Sequence, residues 1–188
     1  MHYAGLEQRL EEILRRAPLR MQAFEIVRSL SLPDWAVGAG FIRAAVWDEL
    51  SGYTTASPVD DIDVLYFDPR TKEPRHDEAL EQRLREIEPS LPWSVHNQAR
   101  MHVRNGDDPY NSTADALCFW LETPTCVAVR LDAEDRLDIL APFGLRDLFS
   151  MSIRPTPRGH VRKAQYISRI QEKRWHERWP NVTVALPD

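Results

Sequence analysis

Apolar residues at the start of the chain recur with a helical period. Between residues 6 and 14 they are mostly spaced three or four apart with charged residues between them, and a second set of the same kind spans residues 24–30, after Pro18. Such spacing places the apolar side chains on one face of a helix. The chain is therefore predicted to open with two amphipathic helices.

The pattern then changes to short apolar runs. Residues 35–37 form a run that ends in Gly38-Ala39-Gly40, which indicates a buried strand followed by a tight turn. A helix is predicted from about Phe41 to Leu50. After the polar, turn-like stretch 51–60, the β-branched and aromatic content of residues 62–67 predicts a second strand.

The second half of the chain continues the alternation of helices and strands. It contains a charged helix with apolar residues at 80, 84 and 87, a strand over Trp93 to Gln98, a hairpin of Thr125–Leu131 and Leu137–Leu140, and an Arg-rich helix over about His160 to Glu177. This order predicts a mixed α/β (α+β) fold, with a mixed sheet flanked by helices and a C-terminal hairpin and helix. One domain over residues 1–188 is expected, with a core at about 19–140 and a helical extension at about 155–179.

Composition narrows the class of protein. A chain of 188 residues that is 43% hydrophobic can bury one core. The N-terminus lacks the features of a signal peptide, and no apolar run approaches the roughly 20 residues that span a membrane. No membrane association and a cytoplasmic location are therefore expected. Cys118 and Cys126 have apolar or aromatic neighbours and are expected to be buried, inert thiols.

Charge is distributed unevenly along the chain. A net charge of -5 argues against non-specific DNA binding, yet residues 154–178 are rich in Arg and Lys. This segment either contacts tRNA or another polyanion, or forms a solvated face. The second interpretation is favoured because Glu172 and Glu177 interleave with the cations. Trp175 and Trp179 are expected to pack onto the domain rather than to stack on bases.

The candidate chemistry lies in two carboxylates and the glycine turn that precedes them. Asp61 and Asp63 are two residues apart at the start of a predicted strand, so both point to one face and can hold one hard divalent cation such as Mg²⁺ or Mn²⁺. Gly38 and Gly40 would let the backbone approach a triphosphate, next to the free N–H groups of a helix N-terminus. The alternatives are acids that cap a turn and glycines that only shape one.

The order of these features resembles the nucleotidyltransferase superfamily that includes DNA polymerase β. Its pattern is an apolar residue, Gly, a small residue, a spacer and then Asp-x-Asp or Asp-x-Glu on a following strand. More narrowly, the chain is similar to a bacterial family of nucleotidyltransferase-like proteins. The segments that carry this likeness are 38–43, 46–48, 60–64, 97–102, 122–123 and 141–145.

The resemblance implies transfer of a nucleoside monophosphate from a nucleoside triphosphate to an acceptor, with pyrophosphate as the leaving group. Asp61 and Asp63 would hold two Mg²⁺ ions, and Arg43 would contact phosphate unless it is a solvated surface residue. Arg100 belongs to a polar run that either binds a base, sugar or phosphate or is a hydrogen-bonded strand end. The acceptor is left open between a small-molecule alcohol, a protein hydroxyl and an RNA end.

The chain departs from the superfamily pattern in two ways. The spacer between Gly40 and Asp61 is long, and the strand expected to carry a third carboxylate, residues 93–98, contains no acid. The candidates for its role are Asn97 as a neutral metal or water ligand, His96 as a base and Asp138 as an acid from the later hairpin.

Two further observations bear on function. The apolar run follows the two acids instead of preceding them, which disfavours a phosphohydrolase with a catalytic Asp-x-Asp. His102 is a further candidate for the catalytic base. Glu122 and Thr123 are candidates to line the same pocket. The alternative to an enzyme is a nucleotide-binding or partner-binding module, such as an antitoxin subunit.

Overall fold

Helices and strands alternate along residues 3–187, which are described by a computed structural model with side chains from residue 5 onward. The helices are Tyr3–Arg15 (α1), Pro18–Ser29 (α2), Gly40–Leu50 (α3), Pro74–Ile87 (α4), Gln98–Asn105 (α5), Thr113–Leu117 (α6), Arg146–Phe149 (α7), Pro157–Val161 (α8), Lys163–Lys173 (α9) and Trp175–Arg178 (α10). The strands are Ala36–Gly38 (β1), Ile62–Tyr66 (β2), Trp93–Asn97 (β3), Ala128–Leu131 (β4), Leu137–Leu140 (β5), Ser152–Ile153 (β6) and Thr183–Val184 (β7).

The main sheet has five strands in the order β3-β2-β1-β4-β5. β1 is antiparallel to both β2 and β4, and β4 is antiparallel to β5. β2 and β3 are parallel and are joined through α4, as a parallel pair requires a crossover connection. The predicted mixed sheet flanked by helices is confirmed, and the predicted hairpin supplies its strands β4 and β5.

The two faces of the sheet are covered unequally. Val37 and Val64 point into a large core that also contains side chains of α1, α2 and α3. Ala36 and Leu65 point to the opposite face, where they belong to a small apolar cluster with Ala128. Since side chains alternate along a strand, Asp63 lies on this second face. This less covered second face is therefore the one on which a binding site can form.

The predicted apolar face of α4 is partly wrong. Leu84 is fully buried, but Ile87 is 48% exposed. Ile87 is the last residue of the helix, so it gains little from the packing of α4 on the sheet. The two opening helices are confirmed, and α2 begins at Pro18 as predicted, because proline lacks the N–H that a first turn leaves unpaired.

The Arg-rich C-terminal segment is not the single helix that its composition predicts. It forms α8, α9 and α10, with breaks at Arg162 and at Arg174, whose backbone is left-handed with φ 45°. The second break turns α10 back onto the domain, where Trp175 and Trp179 pack edge-on against Trp47. Packing of these two tryptophans onto the domain is thereby confirmed.

Neither cysteine forms a disulfide. Cys126 is buried, and burial raises the pKa of its thiol, whereas Cys118 is only half-buried. The expectation of a buried thiol therefore holds for Cys126 alone. None of the helices within residues 3–187 has the length and apolar character needed to cross a membrane.

Candidate active site

A cleft of about 850 Å³ opens on the second face of the sheet. Its walls are the turn before α3, the start of β2, one face of α5, and α9 with α10. Asp61, Asp63, Gly40 and Arg43, four of the residues singled out by the sequence, line it together. The residues of the local sequence motif therefore lie in the wall of this cleft.

The two aspartates form the acidic centre of the cleft. Asp63 lies on β2 opposite Gly38 of β1, and Asp61 precedes the strand by one residue. Burial, and after it the negative charge of Asp61, raise the pKa of Asp63 to about 6. A divalent cation would stabilise the ionised form of Asp63 in this arrangement.

The glycine turn brings the backbone next to this acidic centre. A Cβ atom on Gly40 would lie 3.6 Å from Arg43 Nη2 and 4.0 Å from Asp61 Oδ1. Ala39, the residue before it, has a positive φ of 57°, a conformation that favours glycine. Gly40 thus leaves open a space bordered by a cation, a carboxylate and the N-terminus of α3.

Gly38 has a different environment from Gly40. A Cβ on Gly38 would lie 3.1 Å from Ala128 Cβ and 3.3 Å from the carbonyl oxygen of Val127. It does not line the cleft. Gly38 therefore allows close packing of β1 against β4 and is not placed to contact a phosphate.

Arg43 is a buried cation at the wall of the cleft. Its side chain is 6% exposed, and its guanidinium lies 4.7 Å from the ring centre of Trp175 and 5.1 Å from that of Trp47. Nη1 donates to Thr125 Oγ1 at 3.0 Å, whereas the buried Nε has no hydrogen-bond partner. Burial lowers the pKa of Arg43 to about 10, so it stays charged at neutral pH. The alternative of a solvated surface arginine is wrong.

Asn97 is occupied by structural hydrogen bonds. Its Oδ1 accepts from the backbone N–H groups of Asp68 and Ala99, and its Nδ2 donates to the carbonyl oxygens of Asp68 and Thr71. The side chain is fully buried and caps α5. No donor or acceptor of the side chain remains for a metal or a catalytic water, and Asn97 does not line the cleft.

Two other predicted residues also lie outside the cleft. Arg100 is ion-paired with the buried Asp77 and ties α5 to α4. Asp138 lies on the edge strand β5, where Arg130 Nη2 is 2.7 Å from its carboxylate, and Arg130 also binds Asp34. β5 is separated from β2 by β1 and β4. The structure therefore brings neither Asp138 nor Arg100 to the cleft that Asp61 and Asp63 line.

The strand next to β2 carries polar groups where an acid was expected. Ser94 is aligned with Asp63 and His96 with Leu65, so both face the side of the sheet that carries Asp63. His96 lines the cleft, and its Nε2 is 3.1 Å from Ser94 Oγ. Burial lowers the pKa of His96, which leaves the ring neutral at pH 7. His102, by contrast, packs its ring on Tyr110 and does not line the cleft.

Only part of the opposite wall of the cleft is predictable from the sequence. Glu122 is 1% exposed and lines the cleft as expected, but its partner Arg169 was assigned to a solvated face. Arg169 Nε lies 2.8 Å from Glu122 Oε1. Lys173, Trp175 and other residues of α9 and α10 also line the cleft. The helical spacing of this face is visible in the sequence, but the position of the helix is not.

The described residues contain no cluster of three or more His, Cys, Asp or Glu side chains that could hold a metal ion. Asp61 and Asp63 therefore form a pair, and Glu122 does not join them as a third ligand. A cation held by this pair needs further oxygen ligands from outside the protein carboxylates.

A family model described as nucleotidyltransferase matches residues 25–184. The chain belongs to this nucleotidyltransferase family. An NMR structure described as a CCA-adding enzyme head domain shares 33% identity with it over 95% of both chains, with a TM-score of 0.85. No curated protein matches the chain.

Larger enzymes share the fold at lower identity. A CCA-adding enzyme in complex with CTP has 16% identity and a TM-score of 0.57, and covers 95% of this chain but 43% of its own. The Thermotoga maritima CCA-adding enzyme with tRNA has 16% identity and a TM-score of 0.55, over 94% of this chain and 42% of its own. This nucleotidyltransferase therefore spans less than half the length of those enzymes.

The buried acidic pair predicts a stability cost that can be measured. An acid whose pKa is higher in the folded than in the unfolded state binds its proton more tightly when folded. Stability then falls as the pH rises from about 4 to about 6 and stays low above that range. Without metal at pH 7.5, Asp63→Asn should stabilise the protein by about 2 kcal/mol, which raises Tm by roughly 4–8 °C. Thermal unfolding in EDTA measures this difference.

Asp138→Asn is the matched control for this substitution. It changes the same chemical group, but at an exposed ion pair with Arg130, so it should give no stabilisation. A Tm of Asp63→Asn at or below that of the wild type at pH 7.5 would contradict the strained-pair interpretation. The gain should also shrink as the pH is lowered toward 4, where Asp63 is protonated in the wild type.

Proposed function

We propose that the chain transfers a nucleoside monophosphate from a nucleoside triphosphate to a hydroxyl acceptor, with Mg²⁺ or Mn²⁺ as the cofactor and pyrophosphate as the second product. The observation that carries the proposal is the grouping of Asp61, Gly40 and Arg43 around one space in the cleft. Membership of a nucleotidyltransferase family supports it.

The donor set of the cleft fits a hard divalent cation. Asp61 and Asp63 offer carboxylate oxygens on one face of β2. Burial and the charge of Asp61 raise the pKa of Asp63, which supports a bound cation that would stabilise its ionised form. Metal ions bound by this pair would neutralise the triphosphate and lower the pKa of the acceptor hydroxyl. Both aspartates must be ionised to hold them, so metal affinity should fall below about pH 6.

The remaining residues of the site position the triphosphate. The turn at Gly40 admits the phosphate chain to the N-terminus of α3, where N–H groups of the first turn point outward. Arg43 then holds the phosphates with a guanidinium already fixed by Thr125 and the two tryptophans. The acceptor oxygen forms a bond to the α-phosphorus as the bond from that phosphorus to the β-bridging oxygen breaks.

The acceptor proton is assigned to His96. Among His96, Asn97 and Asp138, only His96 lines the cleft. Its ring is neutral at pH 7, because burial lowers its pKa, so it can accept a proton. Ser94 at 3.1 Å orients the ring.

Nucleoside triphosphates are supported as substrates by complexes of structural neighbours with CTP and with an ATP analogue. The acceptor is a small-molecule alcohol, a protein hydroxyl or an RNA end. tRNA complexes of the neighbours support the last of these by likeness of fold alone.

A second candidate function rests on one observation. No third carboxylate of the described residues joins Asp61 and Asp63. This absence favours a weakly catalytic or inactive member of the family that binds a nucleotide or a partner protein, in the manner of an antitoxin subunit. Metal-dependent nucleotide binding argues for the enzyme over a module that binds only a partner protein. A stable complex with an unrelated protein, without nucleotide affinity, argues for the module.

Thermal unfolding with each nucleoside triphosphate, with and without Mg²⁺ or Mn²⁺, tests the proposal before the acceptor is known. A ligand at a hundredfold excess over Kd stabilises the folded state by about 2.7 kcal/mol. This stabilisation should require the metal and should be lost in Asp61→Asn and Asp63→Asn but kept in Asp138→Asn. Equal stabilisation of all variants, or none of the wild type, would overturn the proposal.

A further inference from the structure

The cleft is lined by more cations than its acidic centre needs. Six arginine and lysine side chains border it, and five of them come from the C-terminal segment: Arg43, Arg162, Arg169, Lys173, Arg174 and Arg178. Five of them belong to a segment that the sequence favours as a solvated face, so their position in the cleft needs an explanation.

Four of the six already have an acidic partner. Arg162 pairs with Asp107, Arg169 with Glu122, Arg174 with Glu177, and Arg178 with Asp60 at 3.8 Å. Each of these arginines is engaged by a carboxylate of the protein, and Arg162 shares Asp107 with Arg158. They are therefore less available to a ligand than a cation without an ion-pair partner.

The other two cations, Arg43 and Lys173, have no ion-pair partner among residues 5–187. Arg43 has an unpartnered Nε in a fully buried environment. Lys173 lies at the end of α9, one turn after Arg169. Both residues line the same cleft as Asp61 and Asp63, so both can act on a ligand bound at the acidic centre.

We propose that Lys173 is the second cation of the triphosphate site and, together with Arg43, binds the β- and γ-phosphates that leave as pyrophosphate. This assignment rests on the proposed function. A nucleoside triphosphate with two Mg²⁺ ions and the two aspartates carries an excess of about two negative charges. Arg43 and Lys173, which line the same cleft as the aspartates, supply the compensating charge.

The proposal also gives the basic C-terminal segment a role. Its arginines in the cleft pair with acids of the protein. Lys173, which has no ion-pair partner among the described residues, binds a short polyphosphate. A long polyanion such as RNA would instead engage the exposed cations of the segment, including Lys163, which does not line the cleft. The two lysines of α9 therefore separate the two interpretations.

The test compares Lys173→Ala with Lys163→Ala, a matched change at the other end of the same helix. Kd for inorganic tripolyphosphate with Mg²⁺, for the nucleoside triphosphate that binds, and for the corresponding monophosphate is measured by calorimetry at fixed ionic strength. Lys173→Ala should weaken tripolyphosphate and triphosphate binding about tenfold and monophosphate binding less than twofold, since only the longer ligands reach it. Lys163→Ala should leave all three unchanged.

Three outcomes would overturn the proposal. They are unchanged triphosphate affinity in Lys173→Ala, equal losses in both lysine variants, and no metal-dependent binding of tripolyphosphate by the wild type. The first two leave the proposed function standing if Asp63→Asn still abolishes nucleotide binding. Conversely, tripolyphosphate binding that needs Lys173 supports the inference even where no nucleotide is transferred to any acceptor.

Discussion

Replacing Arg43 with methionine should weaken binding of the metal-bound nucleoside triphosphate by about a hundredfold while the protein stays folded. Charge-assisted hydrogen bonds contribute about 1.5–3 kcal/mol each, and a hundredfold in Kd corresponds to about 2.7 kcal/mol. Methionine fills the space between Trp47 and Trp175 and removes a buried charge whose Nε has no partner. The free energy of unfolding should therefore stay the same or increase, because a buried charge without full pairing is costly.

Arg20→Met is the matched control. Arg20 is also buried, lies over the ring of Phe41 and donates from Nε to the Phe41 carbonyl oxygen, but it does not line the cleft. Its replacement should alter stability and leave nucleotide affinity within about twofold, since it has no path to a bound phosphate. Calorimetry and urea unfolding measure the two quantities separately. Equal loss of affinity in both variants would remove Arg43 from the phosphate site.

Gly159→Ala should destabilise the protein by about 3 kcal/mol or more. The added Cβ would lie closer to the Leu121 carbonyl oxygen than the sum of their van der Waals radii allows, and 3.0 Å from Pro155 Cβ. That carbonyl accepts the backbone N–H of Thr156, whose side chain caps α8 by accepting from Gly159 N–H, so the backbone on both sides must shift. Overpacking of this kind typically costs 1–3 kcal/mol and sometimes more, which lowers Tm by roughly 6–12 °C.

Gly5→Ala is expected to have the opposite effect on stability. Gly5 lies in α1 with nothing within 4 Å of an added Cβ. Alanine should stabilise the helix by up to about 1 kcal/mol, because glycine is the poorer helix former. Thermal unfolding of both variants at one pH makes the comparison. A Tm for Gly159→Ala within about 2 °C of the wild type would show that the segment after β6 can move away from Leu121.

Several features of the fold follow from local sequence patterns. The helical spacing of residues 6–30, the apolar run before the glycine turn and the polar turn at 132–135 each identify an element that the structure contains. The pairing of Asp61 with Asp63 belongs to the same group, because residues two apart on a strand share a face. Arg43 is also identifiable locally, because it lies on the first helical turn after Gly40.

The residues that sequence reasoning misassigned have partners far away in the chain. Asn97 looks like a free polar residue at a strand end until Asp68 and Thr71 occupy its amide. Asp138 looks available until β4 places Arg130 beside it. A side chain's hydrogen bonds in a folded protein depend on which elements pack together, and spacing along the sequence does not contain this information.

By itself, the sequence determined the alternation of helices and strands, the acidic pair and the glycine turn, since each depends on residues within about one turn or strand of each other. Only the tertiary structure decided which face of the sheet stays open and which cations meet the acids there. Packing of Trp175 and Trp179 on Trp47 sets the position of α10, and with it brings Lys173 to the cleft that Asp63 lines. Those contacts join residues more than a hundred positions apart, where the free energy of burying aromatic surface, and no local preference, selects the arrangement.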